Sequence, residues 1–101
     1  MKTYVNIEGG VATIRIDGEL DHHSAGKVID DIEVLIGGRF PRELVVDMSA
    51  VSFMDSSGIA IVLGAYRRMM QVEGSIRLVN IPKQAAKVLK AAGIDKILKI
   101  S

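Results

Sequence analysis

Hydrophobic and polar residues alternate at the start of the chain in the manner of β-strands. Residues 3–7 and residues 11–16 each show a period of two, and Gly9-Gly10 lies between them. A period of two is typical of a half-buried strand, and a glycine pair between two such runs favours a tight turn. The chain is therefore predicted to begin with a β-hairpin.

Three later stretches have apolar residues at helical spacing, so each is predicted to be a helix with one buried face. A capping residue, a glycine or a proline marks each boundary. The boundaries are Asp21 and Gly37-Gly38 for the first helix, Gly58 and Gly74 for the second, and Pro82 and Gly93 for the third. On the second helix, Ile61 and Ala65 lie away from the main apolar stripe, which indicates either a docking patch or a wider buried face.

Apolar runs between the helices complete the pattern. Residues 44–48 are predicted to form a central strand covered on both faces, and residues 75–79 and 96–100 to form two further strands. The element order is then β-β-α-β-α-β-α-β. This order predicts an α/β fold in which a mixed, mostly parallel β-sheet is flanked by helices.

The composition narrows the class of protein. A chain of 101 residues, 49% of them hydrophobic, suffices for one compact domain. The absence of cysteine excludes disulfides, thiolate metal sites and a cysteine nucleophile. A net charge of +1 and only 4% aromatic residues argue against general binding to nucleic acid or to an anionic membrane. No stretch resembles a signal peptide or a membrane span, so we expect a cytoplasmic protein.

Residues 51–58, Val-Ser-Phe-Met-Asp-Ser-Ser-Gly, are predicted to form a loop from the central strand into the second helix. Partners bind at such strand ends because helix N-termini present free N–H groups there. Ser56 or Ser57 can cap the helix and do nothing more, or can carry a phosphate that the helix dipole favours. Asp55 can align the hydroxyl or form an Asx-turn, and Gly58 can let another molecule approach closely.

His22 and His23 raise two other possibilities, a hydrolase and a metal site. A serine nucleophile needs a base, but adjacent helical positions point in different directions and the pattern G-x-S-x-G is absent. Neighbouring histidines also lack the i, i+4 spacing of helical metal ligands, and no further ligand cluster occurs. We expect a solvated helix start, with no metal and no cofactor.

Four motifs occur in a fixed order along the chain. They are Gly18-Glu19-Leu20-Asp21-His22-His23 with Ala25, Leu44-Val45-Val46-Asp47-Met48, Ser52-Phe53-Met54-Asp55-Ser56-Ser57-Gly58-Ile59, and Leu63-Gly64 with Tyr66-Arg67. With these motifs the chain resembles the STAS domain family, and within it the sporulation-type anti-sigma factor antagonists. The resemblance covers essentially all residues and implies a single STAS domain over residues 1–101.

The resemblance implies a regulatory module, not an enzyme. In such systems the unphosphorylated antagonist binds an anti-sigma factor that is itself a serine kinase, and the sigma factor is released. The kinase then phosphorylates the antagonist, which ends the complex, and a serine phosphatase restores it. Family members usually continue past the last strand into a further helix, whereas this sequence ends at Ile100-Ser101.

The resemblance also implies roles for single residues. Ser56 matches the phosphoacceptor, with Asp55 as its neighbour, and Asp21, Ser57 and Gly58 match surface positions expected to meet the kinase. The leading hypothesis is a binding module in which Ser56 is exposed, Ser57 caps, and the second helix and its preceding loop form the interface. The alternative is a sensory or scaffold STAS domain that binds a nucleotide or another small ligand in the same loop region.

Overall fold

The computed structural model describes residues 2–100 and confirms the predicted order of elements. The elements are β1 (Lys2–Glu8), β2 (Val11–Leu20), α1 (Ala25–Arg39), β3 (Glu43–Met54), α2 (Ser56–Gln71), β4 (Ser75–Val79), α3 (Lys83–Ala91) and β5 (Lys99–Ile100). A short 3-10 helix (Ile94–Lys96) precedes β5. No helix within the described range has the length and apolar character needed to cross a membrane.

The five strands form one sheet in the order β1-β2-β3-β4-β5. The predicted hairpin is present, since β1 and β2 are antiparallel, and the remaining neighbours are parallel. Gly9 and Gly10 both have positive φ, at 59° and 79°. A two-residue turn of type I′ needs that conformation at both positions, which is why a glycine pair stands there. The predicted central strand, β3, is the middle strand of the sheet.

One face of the sheet carries the core. Aligned rows such as Ala12, Leu44 and Ile76 cross β2, β3 and β4, and these side chains are buried. Helices α1, α2 and α3 add apolar residues to the same cluster, including Val28, Val62 and Leu89. The opposite face is more polar, with Arg15 exposed and Thr13, Asp47 and Arg77 half-buried, although Val45 is buried there as well.

The predicted end of the first helix is wrong. Helix α1 continues through Gly37-Gly38 and ends only after Arg39, where Phe40 takes the left-handed conformation at φ 46°. Each interior glycine costs roughly 1 kcal/mol of helix propensity. The burial of Leu35 and Ile36 in the core outweighs this cost, because packing of the apolar face supplies most helix stability.

The boundaries at the other helices also shift. Helix α2 ends at Gln71 and not at Gly74, and the left-handed position of the following turn is Glu73, with φ 58°. Gly74 instead allows the backbone to pass close to Arg42, since a Cβ at this position would lie 2.9 Å from the Arg42 carbonyl oxygen. Pro82 is the N-cap of α3 and lies just outside the first turn. The last strand begins at Lys99 because the 3-10 helix occupies residues 94–96.

The two apolar residues off the main stripe of α2 are part of its buried face. Ile61 and Ala65 are buried, and with Ile29 and Ile32 of α1 they line a small gap between the two helices. Because the α1 contact adds to the contact with the sheet, the buried face of α2 is wider than a single stripe. The predicted alternative of a docking patch at these two residues is therefore wrong.

Candidate partner-binding site at the start of helix α2

Strand β3 runs further than its apolar centre indicates. The predicted loop of residues 51–58 is mostly strand and helix, because β3 extends to Met54 and α2 begins at Ser56. The extension forms because β2 also continues, with Leu20 paired to Met54 after two register irregularities around Gly18. Only Asp55 lies between the two elements, and its N–H donates to the Leu20 carbonyl at 3.1 Å.

Asp55 is the N-cap of α2. Its backbone is extended, and its carboxylate Oδ1 accepts from the Ser57 N–H at 2.8 Å. The Asp55 carbonyl accepts from the Gly58 N–H at 3.0 Å. The prediction that Ser56 or Ser57 caps the helix is wrong, since the Asp55 carboxylate supplies the cap by accepting from the Ser57 N–H. The serine hydroxyls are therefore not needed for capping.

Ser56 is the first residue of α2 and is exposed. Within the part of the chain described here, its hydroxyl has no hydrogen-bond partner, while Ser57 beside it is half-buried. A negative group on Ser56 would lie at the positive end of the helix dipole, where anions are favoured. The local geometry can thus accept a phosphate without disturbing the cap.

Gly58 is buried, so the expectation that it lies at the surface is wrong. A Cβ at this position would lie 2.6 Å from Cγ of Met54, which is itself fully buried. The glycine makes room for a methionine of its own protein and not for an approaching partner. The motif has a glycine at position 58 because the Met54 side chain packs against the backbone there.

Gln84 of α3 fixes the end of β3. Its Oε1 accepts from the Met54 N–H at 2.9 Å, and its Nε2 donates to the Met54 carbonyl at 2.8 Å. A side-chain amide here takes the place of a neighbouring strand, because it offers one donor and one acceptor. Sequence reasoning missed Gln84, and its spacing from Met54 along the chain gives no signal of the contact.

Phe53 and Met54 point in opposite directions, as successive strand residues do. Met54 is fully buried and anchors the loop in the core, whereas Phe53 is 44% exposed. Ser52 is exposed as well. Phe53 therefore adds an exposed apolar side chain to the surface around Ser56. Aromatic residues are enriched in protein interfaces.

Asp21 lies in a turn before α1 and is not the N-cap that the sequence predicts. Its Oδ1 accepts from the N–H groups of His23 and Ser24, at 3.0 and 3.1 Å. The N-cap position of α1 belongs to Ser24. Desolvation acts to raise the pKa of Asp21, but these two hydrogen bonds and the nearby His23 outweigh it, so the pKa lies below its ordinary value. Asp21 is half-buried beside the strand end.

Asp21 shares an open depression of about 640 Å³ with Ser52, which lies two residues before Met54. Its other lining residues are Gly18, Glu19, His23, Ser24 and Lys27. The depression joins the turn before α1 to strand β3, because β2 and β3 are parallel and end at the same edge. Glu19, Lys27 and Ser52 were not predicted as neighbours of this region.

The two histidines are exposed, with ring centroids 3.9 Å apart. Within residues 2–100, no group of three or more His, Cys, Asp or Glu side chains could hold a metal ion together.

The fold and this strand-to-helix junction are those of a known family. The family model of the STAS domain matches residues 3–101, and the chain belongs to that family. Among its relatives is the anti-sigma F factor antagonist of Paenibacillus polymyxa, which is 32% identical over 91 residues, or 90% of this chain and 78% of the relative.

Two solved structures of the anti-sigma factor antagonist SpoIIAA are also similar. The unphosphorylated form has a TM-score of 0.85 at 28% identity and covers 99% of this chain and 88% of its own. The phosphorylated form of SpoIIAA, a Bacillus cell fate determinant, has a TM-score of 0.75 at 27% identity, with 99% of this chain and 91% of its own covered. Relatives of this chain therefore exist in both states of phosphorylation.

Proposed function

We propose that this chain is an anti-sigma factor antagonist that is switched off by phosphorylation of Ser56. The observation that carries the proposal is the exposed Ser56 hydroxyl, which has no hydrogen-bond partner among residues 2–100, at the first turn of a helix whose cap is supplied by Asp55. The similarity to an anti-sigma F factor antagonist and to both forms of SpoIIAA supports it. In this role the protein binds and does not catalyse.

The partner is an anti-sigma factor that is itself a serine kinase. Unphosphorylated antagonist binds this kinase and thereby frees the sigma factor. The contact surface consists of Asp55, Ser56 and Ser57, with exposed Phe53 beside them and Asp21 on the neighbouring turn. Gly58 contributes by letting the loop rest on Met54. A sigma factor acts on transcription, so the protein works in the cytoplasm.

Phosphate at Ser56 would change the charge of this surface more than its shape. The group adds roughly −1.5 to −2 charges, which takes the chain from +1 to about −1. The helix dipole favours the anion in the free protein. In the complex the same anion must be desolvated against the kinase surface, so phosphorylation weakens the complex and leaves the fold intact. A serine phosphatase would then restore binding.

The test is incubation with magnesium, ATP and the cognate anti-sigma factor kinase, followed by intact-mass measurement and peptide mapping. We expect one added phosphate on Ser56, none on Ser56→Ala, and normal incorporation into Ser57→Ala, which is the matched control one residue away. Phosphate found on Ser57, or none with a kinase that is active on another substrate, would contradict the proposal and favour a ligand-sensing or scaffold role.

A further inference from the structure

Strand β1 forms one edge of the sheet. The two-residue turn at Gly9-Gly10 makes Glu8 and Val11 a hydrogen-bonded pair, so bonding to β2 alternates from there along the strand. The even-numbered residues of β1 face β2 with their N–H and C=O groups. Thr3, Val5 and Ile7 therefore direct theirs outward, along the free edge.

The outward residues also line an apolar groove. Thr3, Val5 and Ile7 are paired with Ile16, Ile14 and Ala12, so their side chains lie on the helix-covered face of the sheet. Helix α1 covers them only in part, since Val5 and Ile7 stay exposed, and together with Val34 and Leu35 they form a groove of about 420 Å³. Val5 is 50% and Val34 is 75% exposed. An uncovered apolar edge of this kind invites pairing with another strand.

We propose that the occupant of this edge is a second copy of the same chain, paired antiparallel through β1 about a two-fold axis at Val5. In that register Lys2 lies opposite Glu8 of the second copy, and Glu8 lies opposite Lys2. Tyr4 lies opposite Asn6, and Val5 lies opposite its own copy. The strand is thus complementary in charge to itself, which a two-fold contact requires.

The register also agrees with the hydrogen-bonding pattern. A two-fold axis through Val5 pairs odd-numbered residues with odd-numbered residues, and these are the ones whose main-chain groups face outward. Thr3, Val5 and Ile7 of each copy would each donate and accept one hydrogen bond. A shift by one residue would oppose outward groups to inward ones and would move the charged ends out of register.

Helix α1 adds a second pair of opposite charges. The Thr3 hydroxyl donates to Asp31 at 2.6 Å, so Asp31 marks the Thr3 end of the groove. Arg39 also lines the groove and is eight residues further along the helix, a distance of roughly 12 Å. The two-fold axis therefore turns Asp31 of one copy towards Arg39 of the other. The two apolar grooves become continuous across the joined strands.

The test is sedimentation velocity of the whole chain over a range of concentrations. We expect a reversible dimer. Lys2→Glu or Glu8→Lys alone should weaken it roughly tenfold, because each change makes two like-charge pairs. The double variant K2E/E8K should restore association, since it exchanges the charges within each pair. Glu73→Lys, on the exposed turn after α2, is the matched control for Glu8→Lys, since both raise the net charge by the same amount.

A main-chain variant separates the edge from the charges. Val5→Pro removes an N–H that faces outward and leaves the bonds between β1 and β2 in place, so the monomer should stay folded by circular dichroism while the dimer is lost. A monomer at every concentration up to roughly 1 mM would overturn the proposal, as would a dimer indifferent to both charge reversals and to Val5→Pro. Ser56→Ala should not alter association, so this test is independent of the phosphorylation switch.

Discussion

The turn before helix α1 and the start of helix α2 lie at the ends of neighbouring parallel strands, and an aspartate organises each of them. Asp21 accepts hydrogen bonds from the N–H groups of His23 and Ser24, and Asp55 accepts one from the N–H of Ser57. A serine stands at each helix start, but the two serines differ in use. Ser24 is 9% exposed and its hydroxyl donates to the Glu19 carbonyl at 2.6 Å, whereas Ser56 is exposed and its hydroxyl has no partner in the described part of the chain.

The difference shows how an exposed serine can be separated from a structural one within a single fold. At α1 the serine closes the turn, because its hydroxyl also accepts from the Asp21 N–H at 3.1 Å. At α2 the aspartate caps alone, and Gln84 and Gly58 secure Met54 beneath it. A charged group such as a phosphate could therefore be added to the Ser56 hydroxyl without removing a hydrogen bond that the fold uses.

The largest expected effect is on partner binding at Ser56. Ser56→Asp should weaken affinity for the anti-sigma factor kinase roughly tenfold or more, since a carboxylate must be desolvated in the interface without a partner. The free energy of unfolding should stay within about 0.5 kcal/mol of wild type, because the site is exposed. Affinity is measured by calorimetric titration and stability by urea denaturation.

Ser56→Asn is the matched control for that variant, since it is similar in size but carries no charge. It should bind closer to wild type than Ser56→Asp does. Equal losses in the two variants would mean that side-chain volume, and not charge, controls binding at Ser56.

Much of the fold could be predicted because strong periodicity marks its elements. The alternation around Gly9-Gly10 predicts the hairpin, and the order of elements follows from switches between strand and helix periods. The boundaries that failed depend on contacts distant in sequence. Gly37-Gly38 stays helical because the preceding turn is buried in the core, and β3 reaches Met54 because β2 runs beside it.

The candidate site was harder to predict than the fold. The motif locates Asp55 and Ser56 on the chain, but it does not say which side chain caps the helix. Asp55 and Ser57 compete for that role on nearly equal propensities, and the extended backbone at Asp55 decides it. Gln84 and the buried position of Gly58 could not be predicted, since both depend on where Met54 lies.

The next effect concerns stability at the structural serine. Ser24→Ala should lower the free energy of unfolding by about 2 kcal/mol, because the Glu19 carbonyl and the Asp21 N–H both lose a nearly buried partner. Ser56→Ala should change it by less than about 0.5 kcal/mol. Urea denaturation of both variants measures the contrast, and equal losses of stability would contradict the division of roles between the two serines.

A smaller effect is expected at the two glycines in the first turns of the helices. Gly58→Ala should cost about 1 kcal/mol, since overpacking against Met54 exceeds the gain in helix propensity. Gly26→Ala should stabilise by up to about 1 kcal/mol, because a Cβ there would meet nothing within 4 Å. Melting temperatures should therefore move in opposite directions. A stabilising Gly58→Ala would mean that Met54 can move aside and that the loop is not fixed from below.

The smallest expected effect is the dependence of stability on the charge of Asp21. Desolvation acts to raise the pKa of this carboxyl, but the hydrogen bonds from Ser24 and His23 lower the pKa by more than desolvation raises it. The folded-state pKa therefore lies below the unfolded one. A group of this kind stabilises the fold above its unfolded pKa, and the contribution is lost as the pH falls through the folded pKa.

Asp21→Asn keeps the acceptor oxygen and removes the charge. Its urea midpoint should lie slightly below that of wild type at about pH 7, and the two midpoints should converge as the pH falls towards about 3. A gap that stays constant over this range would mean that the hydrogen-bond geometry, and not the charge of Asp21, stabilises the turn.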